Sequence, residues 1–157
     1  MSDLRVVFDC NVFAQALLST GGPAAACVLA ALDGTVVLCL SDFVISEIHD
    51  LADEPPLARM GITHERVNEL LTKLLVLAEM MDQPPVVFEH PFDPKDGPYI
   101  DLAIAAGAAV ITSRDKHLLN LMNASKPWSA DFRARFPGLR IVSPEAFLKE
   151  LRGLGAG

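Results

Sequence analysis

Short apolar runs rich in β-branched residues recur along the chain: LRVVF, TVVLCL, VVF, AVIT and LRIV. Each reads as a buried strand, and segments with helical spacing of apolar residues lie between them. A chain that alternates in this way folds as α/β, with strands aligned in parallel and helices crossing between them. The expected architecture is a three-layer α/β/α domain with a mainly parallel central sheet of about five strands.

The connecting segments are legible in the same terms. After LRVVF, the polar Asp9-Cys10-Asn11 leads into VFAQALLS, and the Gly21-Gly22-Pro23 break begins a second helix, AAACVLAAL. Ser41 is placed to cap FVISEIHDLA, where Val44, Ile48 and Leu51 share one face, and Pro55-Pro56 is expected to end that element. A helix from Thr63 to Met81 follows, then VVF as the third strand after Pro84-Pro85. The acid- and proline-rich loop EHPFDPKDGP precedes the helix YIDLAIAAGA, which Gly107 ends. AVIT is the fourth strand, DKHLLNL a short helix, residues 123–138 a polar connection and LRIV the last strand. Ser143-Pro144-Glu145 caps the closing helix.

Length and composition are consistent with this plan. With 157 residues, 51% of them hydrophobic, the chain can bury a core without disulfides. A single domain over 1–152 is expected, with 153–157 as a flexible tail. The three cysteines, Cys10, Cys27 and Cys39, sit among apolar neighbours, as reduced core thiols do. No basic region followed by a long apolar stretch marks a signal peptide, and no segment has the roughly 18 apolar residues of a membrane span, so a cytoplasmic protein without membrane contact is expected. The net charge of −7 argues against a broad basic surface for nucleic acid. It does not exclude a nucleic-acid enzyme, because carboxylates neutralised by divalent ions no longer repel a phosphodiester.

Acids at strand ends are the candidate chemistry. Asp9 follows the first strand, Glu47 lies in the helix after the second, Asp96 opens the helix before the fourth, and Asp115 lies just beyond the fourth. The ends of neighbouring parallel strands converge on one crevice, so acids distant in sequence can meet there. Hard cations such as Mg²⁺ and Mn²⁺ prefer carboxylate and water oxygens, and two ions sharing carboxylates can flank a phosphodiester. Taken singly, each acid could equally be a turn former or helix cap.

The order and wording of these patches resemble the PIN-domain nucleases, in particular the VapC-like branch of toxin components of bacterial toxin–antitoxin systems. VVFDCNVFAQALLSTGGP is similar to the family's opening strand, with Asp9, Asn11 and Ser19 in register. LSDFVISEI matches a second patch through Ser41 and Glu47, and DPKDGPYIDLAIAAGAAVITSRDKHLL a third through Asp96, Ser113 and Asp115. FPGLRIVSPEAFL resembles the closing strand and helix. Departures are Cys10 and Ser113 where Thr is common, and His117 in a place often held by Asp.

The resemblance implies a metal-dependent endoribonuclease that hydrolyses RNA phosphodiester bonds through a metal-activated water. Asp9, Asp96 and Asp115 would be the principal ligands of one or two Mg²⁺ or Mn²⁺ ions, with Glu47 as ligand or water-orienting base. Asp101 is a further candidate, although five residues on a helix carry it about 140° beyond a full turn from Asp96. Asn11 either orients a carboxylate or caps the following helix, Ser113 offers a hydroxyl to carboxylate or phosphate, and Arg114 is a candidate phosphate contact. An antitoxin protein and a homodimer are the implied partners.

Other residues are read more simply. His49, His64, His90 and His117 show no zinc-like spacing, and Trp128 with Arg133 and Arg135 is either a stacking surface or a loop anchor. Two other readings stay open. One is a catalytically inactive PIN-like binding or dimerisation module whose acids are caps. The other is a response-regulator-like phosphotransfer domain, which needs an acceptor Asp after a middle strand and a Lys after a later one, neither evident here.

Overall fold

The computed structural model describes residues 4–156, and side chains as far as residue 153. Its sheet is formed by β1 (Arg5–Phe8), β2 (Val37–Leu40), β3 (Glu79–Met80), β4 (Val110–Thr112) and β5 (Arg140–Val142). The strands run in the order β3-β2-β1-β4-β5, and every pairing is parallel. The expected α/β/α architecture is therefore the observed one. Val6, Val7, Phe8, Leu40, Val110 and Ile111 are completely buried, as strands covered on both faces must be.

Between β1 and β2 lie α1 (Cys10–Leu18) and α2 (Pro23–Leu32), the second opened by a proline at its first turn. α3 (Asp42–His49) follows β2, and the Ser41 hydroxyl accepts the Val44 amide at its start. These helices pack with α5 (His64–Leu77) and with α9 (Pro144–Ala156) on one face. Phe8 meets Phe13 of α1 and Phe147 of α9 with ring centroids 5.9 and 6.1 Å apart, which seats both helices on β1. α6 (Gly97–Ala106) packs against β1, β2 and β4. It occupies the opposite face, as a right-handed crossover from β3 back to β4 requires. Gly107 ends α6 in the left-handed region at φ 65°, where a glycine has no Cβ penalty.

Several boundaries differ from the sequence expectation. The helix from Thr63 stops at Leu77, and Glu79–Met80 turns out along β2 as the third strand. VVF at 86–88 is not a strand, because its amides are satisfied elsewhere: the Asp101 carboxylate accepts both Val87 N–H at 2.8 Å and Phe88 N–H at 3.1 Å. Pro55 opens a short helix, α4 (Pro55–Arg59), instead of ending α3, whose continuation is a 3₁₀ turn over Asp50–Asp53. Past α7 (Lys116–Leu119), the connection 123–138 contains α8 (Ala130–Arg135). α9 is helical to Ala156, through most of the segment expected as a tail, and Gly157 lies outside the described residues.

Among the described residues no single helix is long and apolar enough to cross a membrane. The three cysteines are free, Cys27 and Cys39 being fully buried. Burial and the neighbouring Asp9 carboxylate push the Cys10 thiol up to about 12.

Candidate active site

The direction of strand addition reverses between β1 and β4, because β2 and β3 extend the sheet to one side of β1 and β4 and β5 to the other. Crevices at such reversals, outside the carboxyl ends of the strands, are where α/β sheets hold ligands. The acid following β1 lies here. Asp9 N–H donates to Thr112 carbonyl oxygen at 2.9 Å, continuing the β1–β4 ladder one residue beyond the strand.

Asp9 occupies the cap position of α1 yet makes no capping bond. Its Oδ2 instead accepts hydrogen bonds from Asn11 Nδ2 at 3.1 Å and Ser113 Oγ at 2.7 Å. Ser113 Oγ in turn accepts the Asp115 amide at 2.9 Å, and Asn11 Oδ1 receives the Arg114 amide at 3.4 Å. One serine and one asparagine thus link the end of β1 to the segment after β4. Burial raises the proton affinity of Asp9, the Ser113 hydrogen bond opposes it, and the charge of Asp115 adds to it.

Asp96 stands at the start of α6, also without capping it, and is 4% exposed. Its Oδ2 and Thr112 Oγ1 are the buried side-chain oxygens that lack a hydrogen-bond partner among the described residues. Desolvation, then the charges of Asp115, Asp93 and Asp9, pushes the Asp96 carboxyl up to about 8. Close backbone packing holds it there: a Cβ added at Gly97 would stand 2.8 Å from the Phe88 carbonyl oxygen. Asp115 does cap α7, its Oδ1 accepting the His117 amide at 2.7 Å.

Asp93 joins the site without a distinguishing pattern in the sequence. One donor atom from each of Asp93, Asp96, Asp115 and His117 lies within 4.8 Å of all the others. The signal was available in the repeated acids of HPFDPKDGP, but a proline-rich loop gives no period from which to infer a facing side chain. Buried His90 orders this loop. Its Nδ1 accepts the amides of Phe92 at 3.0 Å and Asp93 at 3.2 Å, so the ring hydrogen is on Nε2, which donates to the His117 carbonyl at 2.9 Å.

Glu47, half-buried on α3, approaches the same region from the β2 side. Desolvation raises its proton affinity most; Lys95 lowers it and Asp9 raises it. It is not one of the four residues with mutually close donors. Asp101 is buried but turned to the amides of Val87 and Phe88, and it too is outside that set. The Arg114 guanidinium is held by Gln15 and by Glu145, whose carboxyl it keeps below the usual range. Trp128 packs against Phe92 and His90, with ring centroids 5.0 and 5.5 Å away, and anchors the loop.

The donor set fits a divalent cation. Three carboxylates and an imidazole converge, and a buried carboxylate oxygen is left without a partner. Such an arrangement is costly unless a cation or proton compensates it. Hard divalent ions take ligands of this oxygen-rich kind.

A family model described as PIN domain matches residues 5–117. No curated protein matches the chain. Among solved structures, the chain is similar to the crystal structure of VapBC2 from Rickettsia felis bound to a DNA fragment from their promoter, with 13% sequence identity and a TM-score of 0.51. That match covers 89% of this chain and 98% of the other.

Proposed function

The chain belongs to the PIN-domain family, and we propose that within it the protein is a metal-dependent endoribonuclease, the toxin of a toxin–antitoxin pair. The observation carrying this reading is the partnerless, buried Asp96 oxygen in a side-chain cluster that also holds Asp115 and lies under the charge of Asp9. Acids used only as caps would have their oxygens occupied, whereas Asp9 and Asp96 hold cap positions and do not cap. That disfavours the inactive binding module. The phosphotransfer reading fails on topology, since such domains place β1 between β2 and β3, unlike the order here.

In the proposed mechanism Asp96 and Asp115, which belong to the group with mutually close donors, and Asp9, which stands outside that group, would hold one or two divalent ions. The chemistry that Mg²⁺ or Mn²⁺ supplies when bound is Lewis acidity, which makes an attacking water more acidic and offsets charge on the departing oxygen. Glu47, with its proton affinity raised by burial, would accept the proton of an attacking water. Asn11 and Ser113 keep Asp9 turned into the crevice, and Lys95 beside Glu47 provides a positive charge for the phosphate. Arg114 reaches a phosphate only by leaving Glu145. Asp101 supports the loop from behind and would contribute to metal binding through that loop.

The nuclease unit is residues 1–152. Exposed Leu29, Leu75, Val76 and Leu77 provide apolar area for a second copy of the chain, and an antitoxin is the expected protein partner in a cytoplasmic setting. Purified protein should cut single-stranded RNA with Mn²⁺ or Mg²⁺ and lose at least about a hundredfold in rate as Asp9→Asn or Asp115→Asn, in line with loss of a principal electrostatic group. Equal cleavage by the wild type and both variants, or none under any metal, would refute this reading.

A further inference from the structure

The pocket contains a donor that an all-carboxylate site lacks. His117 Nδ1 shares a 3.3 Å hydrogen bond with Asp93 Oδ2 and lies 3.9 Å from Asp115 Oδ1. Ions bound through contacts of about 2.0–2.2 Å bring neighbouring ligand atoms to about 3–4 Å of each other. The hydrogen bond to Asp93 thus spans the distance that two ligands of one ion keep, so a cation could replace the shared hydrogen, with Asp115 at similar range. Asp96, whose Oδ2 is buried and unpartnered, belongs to the same cluster, and a bound cation would compensate that oxygen.

The imidazole is also held in place. The His117 amide donates to Asp115 Oδ1, its carbonyl accepts from His90 Nε2, and its ring lies 5.6 Å from the His90 ring. His90 accepts the Asp93 amide through its other nitrogen. A single buried ring thus fixes both the backbone that carries the nitrogen donor and the backbone that carries Asp93. Such outer support orients ligands and raises metal affinity.

Mg²⁺ demands oxygen ligands and keeps much of its water, whereas imidazole suits first-row transition ions. Building on the nuclease reading of this site, we propose that His117 Nδ1 is a metal ligand, with Asp93 beside it, and that the imidazole biases the site toward divalent transition ions over Mg²⁺. The competing role for His117 is a cation that neutralises the acids without touching the metal.

Mn²⁺ and Mg²⁺ binding should be measured by calorimetry on the full chain and on its His117→Asp and His117→Gln variants. Electron spin-echo spectra of the Mn²⁺ form would report a directly bound ¹⁴N. The wild type should show that nitrogen signal, and His117→Asp should lose it while the Mn²⁺-to-Mg²⁺ affinity ratio falls. His117→Gln should weaken Mn²⁺ more than Mg²⁺, which separates ligand loss from loss of charge. No nitrogen signal in the wild type, a signal that survives in His117→Asp, or a ratio indifferent to His117 would overturn the inference. If both ions bind in that case, the nuclease reading stands alone; if neither ion binds, both fall.

Discussion

Ser113 donates a 2.7 Å hydrogen bond to Asp9 Oδ2 across a sequence separation of 104 residues. The same oxygen of Ser113 accepts the Asp115 amide, so one hydroxyl sets the spacing of two strand-end acids. A family departure from Thr to Ser retains the hydroxyl on which this depends.

Ser113→Ala leaves the Asp9 carboxylate and the Asp115 amide without that partner. Unfolding in urea near neutral pH should show a loss of about 1–3 kcal/mol, the usual cost of stranding a buried hydrogen-bonding group. Ser113→Thr should retain stability and cleavage. Equal stability of the Ala variant would mean that the hydroxyl does not support Asp9.

The Asp96 carboxyl moves from an ordinary value of 3.8 to about 8 in the folded protein. A raised folded value means the native state keeps a proton that the unfolded chain has released. The associated stability is complete below 3.8 and is lost as pH rises through about 8. In chelator, thermal unfolding should therefore shift to lower temperature between about pH 5 and about pH 8, by several degrees. Asp96→Asn should flatten that slope and raise metal-free stability at the alkaline end, and added Mn²⁺ should stabilise only the wild type. A pH-independent midpoint in the wild type would contradict this.

Gly97→Ala puts a Cβ 2.8 Å from the Phe88 carbonyl oxygen, which is backbone and cannot swing aside. Destabilisation of about 1–3 kcal/mol is expected, with weaker metal binding because the start of α6 carries Asp96. Chemical denaturation and calorimetry on one preparation check both halves.

Asp101→Asn keeps a carbonyl oxygen for the Val87 and Phe88 amides, while Asp101→Ala does not. The Asn variant should bind Mn²⁺ about as tightly as the wild type, within about twofold, and the Ala variant should lose about 1–3 kcal/mol of stability. A large loss of Mn²⁺ affinity in Asp101→Asn would make Asp101 a ligand.

Side-chain period and capping residues made much of this fold legible in the sequence. β1, β2 and β4 are largely buried apolar runs, β5 buries Ile141 between exposed Arg140 and half-buried Val142, and Ser41, Thr63 and Gly107 bound their helices as their chemistry predicts. β3 was not legible: a two-residue edge strand has no period, and the more hydrophobic VVF nearby gives its amides to Asp101. The strand-end acids Asp9 and Asp115 could be picked out because topology places them. Asp93 and His90 could not, because their roles depend on loop hydrogen bonds between residues that no pattern pairs.

The reversal of strand order at β1 and β4 also has a consequence for synthesis. Asp9 is synthesised well before its neighbours in the crevice, Asp96 and Asp115, which belong to the segment that leads up to and follows β4. A nascent chain that ends before β4 cannot form the β1–β4 ladder, and with it lacks the hydroxyl of Ser113 and the charge of Asp115. Such a long-range pairing forms late. Synthesis therefore runs on for 106 residues beyond Asp9 before Asp115 can complete the acidic cluster, and a chain interrupted within that stretch lacks it.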